Sequence, residues 1–148
     1  KAGHDDKALE FYELGYNHDR NGTTAFNYAY KLKSKDRIKY KEILHEALEL
    51  EPNQPHSMFE LGKILKQEGQ NKGEEMIESA FEIWRNKFEN NCLHEHEYSW
   101  LSSAAEELGM RDFARQVRDS KPKKSNEKLF NYDNLTITQR EDGIIKKN

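Results

Sequence analysis

The stretch that decides the fold reads LHEALELEPN over residues 44–53 and QPHSMFELGKILKQEGQNKGEEMIESA over residues 54–80. Apolar and small residues recur along one face of each part at the spacing of an α-helix, namely Leu44, Ala47 and Leu48, then Met58, Leu61, Gly62 and Leu65. Pro52 closes the first periodic segment and Gly69 the second. We therefore predict two helices that are joined by a short turn.

The same periodicity extends in both directions and predicts seven helices of roughly 10–18 residues up to Ser120. Asp36 is placed to cap the helix that contains Leu44, and Pro122 ends the last helix. Because the predicted loops are short, neighbouring helices should run antiparallel.

The helical segments repeat. A shift of 33 residues superimposes large residues on large and small on small at most of six positions: Tyr28 on Leu61, Ala29 on Gly62, Leu32 on Leu65, Tyr40 on Gly73, Leu44 on Ile77 and Ala47 on Ala80. A rival shift of 47 residues matches Leu14, Gly15 and Gly22 with Leu61, Gly62 and Gly69. The phase of the repeat therefore stays open.

These residues resemble the tetratricopeptide repeat family, whose pattern sets a Leu-small pair on the first helix and an Ala followed by a closing Pro on the second. The resemblance implies an all-α fold in which antiparallel helical hairpins stack as a short right-handed solenoid. Residues 1–120 would form this domain, with an N-terminal helix at 5–20 and repeats at about 23–54, 55–90 and 94–120. A compact helical bundle with a coincidental repeat is the alternative.

Composition agrees with a stack of hairpins. Apolar residues make up 34% of the chain and charged residues another 34%, yet 7 Phe, 7 Tyr and 2 Trp are present. A stack spreads burial along its length, so few apolar residues per helix suffice. No run of residues approaches the length of a membrane span, and a net charge of -3 argues against a nucleic-acid binder.

Residues 121–148 differ from the rest. A basic linker at 121–124 precedes a β-prone run at 135–138 and a hairpin-type turn at Asp142-Gly143. We expect this segment to be a linker followed by an extended, β-prone tail.

No catalytic signature is found in the sequence, so we expect a protein that is not an enzyme and needs no cofactor. Cys92, His94 and His96 are weak candidates for metal ligands, with His56 or His45 as a further ligand. Because alternate loop residues seldom present three ligands to one ion, we favour solvated side chains here and predict no metal site.

The resemblance implies that binding residues lie on the concave face of the first helices. The principal candidates are Phe26, Tyr30, Lys33, His56, Phe59, Lys63 and Lys66, with Thr23, His96, Ser99, Ser103 and Glu106 at the remaining groove positions. Aromatic rings beside lysines can contact apolar side chains and attract carboxylates. The hypothesis is therefore a non-catalytic adaptor or scaffold that binds a protein or an acidic peptide in this groove. The competing view treats the lysines as a solvated face and the rings as packing within the repeats.

Two other classes of function stay open. The chain could be a regulatory helical domain of a larger enzyme, or a helical protein that binds metal or nucleic acid.

Because the chain begins at Lys1 rather than Met, we expect a fragment or processed form. Its single cysteine, Cys92, favours a reducing, cytoplasmic location. The partner and the oligomeric state do not follow from these residues.

Overall fold

The computed structural model describes residues 2–123, and this range is all-α. No strand occurs within it. As predicted, it contains seven helices: α1 (Ala2–His18), α2 (Gly22–Leu32), α3 (Arg37–Leu50), α4 (Pro55–Gln67), α5 (Lys72–Glu89), α6 (Glu97–Glu107) and α7 (Arg111–Ser120). None of these helices combines the length and the apolar character needed to cross a bilayer. Residues 124–148, which hold most of the predicted extended tail, lie outside the described range.

The chain divides into two compact units, Lys1–Arg118 and Asp119–Asn148. The first unit holds α1 to α6 and most of α7, and the contacts reported below lie within it. The predicted domain boundaries stay a prediction.

Local sequence explains where the helices begin and end. The Asp36 carboxylate accepts a hydrogen bond from the Lys39 amide at 3.1 Å, which confirms Asp36 as the N-cap of α3. Asn21 and Thr24 form a reciprocal capping box at the start of α2. Gly69 and Gly109 follow α4 and α6 with φ of +80° and +81°, a left-handed conformation that glycine adopts without strain.

Helices α4 and α5 form an antiparallel hairpin with very close backbones. Contacts along the hairpin run from Lys66–Gly73 near the loop through Gly62–Ile77 to Phe59–Trp84. The residue numbers fall along α4 as they rise along α5, so the two helices run in opposite directions. A Cβ atom placed on Gly73 would lie 2.4 Å from the Lys66 nitrogen and 2.5 Å from the Gly62 oxygen. Only glycine therefore permits this approach.

Burial is spread over two apolar clusters. One joins α1 to α4 around Tyr28, Tyr40 and Leu44, and the other joins α4 to α7 around Phe59 and Trp84. Trp100 of α6 is partly buried and packs against both clusters. Rings from α2, α4 and α6 contact one another around Trp100, and these contacts position the candidate site.

Candidate functional site

A cleft of about 320 Å³ opens where α2, α4 and α6 meet. We call it the α2/α4/α6 cleft. Its walls are Tyr30 from α2 and Lys33 directly after that helix, Phe59, Glu60 and Lys63 from α4, and Ser99, Trp100 and Ser103 from α6. Four of the seven principal groove candidates (Tyr30, Lys33, Phe59, Lys63) thus line one cleft, and the other three (Phe26, His56, Lys66) lie outside its lining.

The apolar part of the cleft is a set of packed rings. Trp100 lies with its ring centroid 5.7 Å from Tyr30 and 6.0 Å from Phe59. Tyr30 is 42% exposed, whereas Phe59 and Phe26 are buried, at 1% and 9%. Phe26 and Phe59 are both predicted groove residues, and the structure buries both, although Phe59 still lines the cleft. Trp100, which is not among the predicted groove residues, forms part of the cleft wall.

Glu60 is a buried carboxylate in the same cleft. Its Oε1 lies 2.9 Å from Lys33 Nζ, its Oε2 lies 3.1 Å from Lys63 Nζ, and its side chain is only 3% exposed. The Tyr40 hydroxyl donates a hydrogen bond to Oε1. Burial alone would raise the pKa of Glu60, but the Tyr40 and Lys33 hydrogen bonds and the Lys63 charge outweigh it and lower that pKa. Glu60 is therefore an anion that fixes two lysines.

Tyr40 stays a neutral donor to this anion. Burial raises the pKa of its hydroxyl, and the hydrogen bond to the Glu60 carboxylate raises that pKa further. Tyr40 lies on α3, so the Glu60 carboxylate of α4 binds side chains from α3, from α4 and from the residue that caps the end of α2.

The two lysines are positioned but still reach solvent. Lys33 Nζ lies 5.3 Å from the centroid of the Tyr30 ring, and Lys63 Nζ lies 4.4 Å from that of Phe59. Their side chains are 40% and 27% exposed. Because an ammonium has three N–H donors, each can bind a second acceptor while it keeps Glu60. The two lysines and one carboxylate leave a local charge of +1.

Lys66 points to a different set of partners. Its ammonium lies 3.4 Å from Glu74 Oε1 and 4.0 Å from Glu107 Oε1, and it does not line the α2/α4/α6 cleft. Two acidic neighbours therefore offset its charge.

His56 lies at the start of α4 in a second cluster beside the cleft. Its ring centroid is 4.9 Å from that of Trp100, 5.2 Å from that of Trp84 and 5.5 Å from that of Phe26. Burial lowers the pKa of His56 to about 4, and the nearby Glu97 carboxylate only partly opposes this effect. His56 is therefore a neutral imidazole at pH 7.

The structure groups only one of the three weak metal candidates, His96, with other possible ligands. One donor atom each from His56, His96 and Glu97 lie within 4.8 Å of one another, a grouping that includes His96 but neither Cys92 nor His94. The exposed Cys92 thiol donates to the Asn90 carbonyl at 3.3 Å, and the His94 ring stacks on that of His96 at 5.9 Å.

Sequence reasoning missed Glu60, Trp100 and Glu97. A signal existed for Glu60, because it precedes Lys63 by one helical turn, where opposite charges pair. No local pattern distinguished Trp100 from the other apolar residues of its helix, since its role depends on which helices are adjacent.

Comparison with known proteins does not assign a family. No protein-family model matches the sequence. A search of curated proteins also finds no match.

Proposed function

We propose that this chain is a non-catalytic, helical-repeat interaction module, an adaptor or scaffold that binds an acidic peptide or partner segment in the α2/α4/α6 cleft. The hairpins would stack as a short right-handed solenoid of the tetratricopeptide type, with α2, α4 and α6 along its concave face. A cytoplasmic location accords with the free thiol of Cys92.

The observation that carries the proposal is the composition of the cleft. Three alternate helices contribute to it, as expected for the first helices of successive hairpins. Its rings can contact apolar side chains, while Lys33 and Lys63 can still donate to a carboxylate. Ser99 and Ser103 on the α6 wall are short and exposed, so a peptide can lie against this helix.

The test begins with a peptide-display selection on the purified chain, followed by anisotropy titration of the selected acidic peptides. Ser103→Glu places a negative charge in the cleft, which repels an acidic peptide, and should weaken peptide binding by about tenfold or more. Ser103→Lys adds a positive charge and should retain or strengthen peptide binding. Ser103 is preferred to Lys63 because reversing Lys63 would place a carboxylate beside Glu60.

The matched control is Ser79→Glu on α5, an exposed serine that does not line the cleft. The affinity of this variant for the selected acidic peptides should equal that of the unchanged chain. Equal losses in Ser79→Glu and Ser103→Glu, no loss in either, or a selection that enriches no acidic peptide would each refute the proposal.

A further inference from the structure

A cluster of nitrogen and oxygen donors lies outside the α2/α4/α6 cleft, where the start of α4 meets the start of α6. It consists of His56, His96 and Glu97. Oε2 of Glu97 lies 4.0 Å from Nε2 of His56, and the rings of His56 and His96 stack at 6.2 Å with an interplanar angle of 18°. Nothing in the proposed peptide binding uses these three side chains.

We propose that His56, His96 and Glu97 form a binding site for one divalent transition-metal ion, with Zn²⁺ as the representative ion and water in the fourth position. Two imidazoles and one carboxylate are a donor set that Zn²⁺ accepts in tetrahedral geometry. The site does not depend on peptide binding.

The distances fit an ion after small side-chain movements. With bonds of about 2.0–2.2 Å, two donors at a tetrahedral angle are about 3.4 Å apart. The three donor atoms here lie within 4.8 Å, so each must approach a common centre by roughly an ångström or less. His96 is exposed and can rotate, whereas His56 is held edge-on against Trp84 and Trp100.

The carboxylate of Glu97 is already oriented for such a role. Its Oε1 accepts a hydrogen bond from the His94 amide at 3.2 Å, which leaves Oε2 directed toward His56. Hydrogen bonds of this kind fix a metal-binding carboxylate. The Glu97 side chain is only 4% exposed, so water can supply few hydrogen bonds to its carboxyl oxygens.

Lys87 lies against the oxygen of Glu97 that the proposed ion would bind. Its ammonium lies 3.6 Å from Glu97 Oε2, the same oxygen that faces His56. The Lys87 side chain is 40% exposed and can move into solvent when a divalent ion binds. Lys87 and the metal ion would therefore compete for the same oxygen of Glu97, so removal of the Lys87 ammonium should favour the ion.

The experiment is calorimetric titration of the tag-free, chelator-washed chain with Zn²⁺, repeated with Co²⁺ to record its visible absorption. We expect one ion per chain. His96→Ala and Glu97→Gln should each lower the affinity by about tenfold or more, and Lys87→Met should raise it. His45→Ala, which replaces an exposed histidine of α3, is the matched control and should leave the affinity unchanged.

His56→Ala completes the series, with circular dichroism to establish that it folds. If it does not fold, His96→Ala, Glu97→Gln and Lys87→Met decide the question, because all three leave the contacts of His56 with Trp84 and Trp100 in place. Absence of Zn²⁺ binding would overturn the site. So would binding that Cys92→Ser or His94→Ala abolishes while His96→Ala and Glu97→Gln leave it intact.

Discussion

The ammonium of Lys33, the residue that caps the end of α2, lies 2.9 Å from the buried Glu60 carboxylate on α4. This ion pair connects the end of α2 to α4 at the wall of the α2/α4/α6 cleft. Because the same carboxylate also binds Lys63 and accepts from Tyr40, one buried charge organises both the packing of three helices and the electrostatics of the candidate site.

Glu60→Gln should lower the free energy of unfolding by about 1–3 kcal/mol, measured by urea denaturation. The amide keeps the size of the side chain and can accept from Tyr40, but it cannot neutralise Lys33 and Lys63. The control is Glu78→Gln on the exposed face of α5, which should change stability by less than about 0.5 kcal/mol. Equal effects of the two substitutions would show that the Glu60 charge contributes nothing.

Acid should destabilise the fold through His56. Its pKa of about 4 in the folded chain lies below the ordinary value of 6.5, so the unfolded chain binds more protons between these pH values. The free energy of unfolding should therefore fall as pH decreases from 6.5 to 4, by up to about 3 kcal/mol from this residue. Urea denaturation at several pH values, in the presence of a chelator, measures how steeply the free energy of unfolding depends on pH.

His56→Asn provides the comparison for that measurement. It removes the titrating imidazole, so the slope between pH 6.5 and 4 should become shallower even if the variant is less stable throughout. Glu60, whose pKa is lowered, contributes stability that is lost at lower pH still, as its carboxylate is protonated. An unchanged slope in His56→Asn would contradict the assignment to His56.

Gly73→Ala should destabilise the chain by about 1–3 kcal/mol, because the added Cβ would meet the backbone of α4, which has no room to yield. Thermal unfolding of the two proteins measures the difference. In Gly15→Ala the new Cβ meets nothing within 4 Å, so this substitution in α1 should instead stabilise by up to about 1 kcal/mol. A neutral Gly73→Ala would mean that α4 and α5 are farther apart than the structure places them.

Asp36→Ala should cost about 1 kcal/mol, since it removes the side-chain acceptor for the Lys39 amide at the start of α3. Asp36→Asn retains an acceptor and should be close to neutral. Chemical denaturation of both variants measures the free energy of unfolding and distinguishes the capping hydrogen bond from the negative charge. Similar losses of stability in the two variants would assign the effect to the charge rather than to the hydrogen bond.

The helices were predictable because their signals are local. The Asp36 cap, Gly69 after α4 and the apolar spacing of Leu61, Gly62 and Leu65 each depend on residues within a few turns of one another. Gly62 and Gly73 are also positions of the 33-residue repeat, and the structure brings their backbones close together. Four groove candidates followed from position on the first helices, and the structure gathers them in one cleft.

The remaining features of the candidate site depend on contacts between distant segments. The sequence by itself determined the seven helices within residues 2–123, the helix ends marked by Asp36 and Gly69, and the faces that carry small and aromatic residues, because capping and side-chain periodicity depend on residues close together in the chain. The N-terminal helix, predicted at 5–20, instead spans Ala2–His18. Only the tertiary structure decided that Lys33 and Lys63 share the Glu60 carboxylate, that Trp100 forms a wall of the cleft, and that His56 meets His96 and Glu97. The physical reason is that burial and charge pairing are set by which helix faces come into contact, and no spacing along a single helix encodes that.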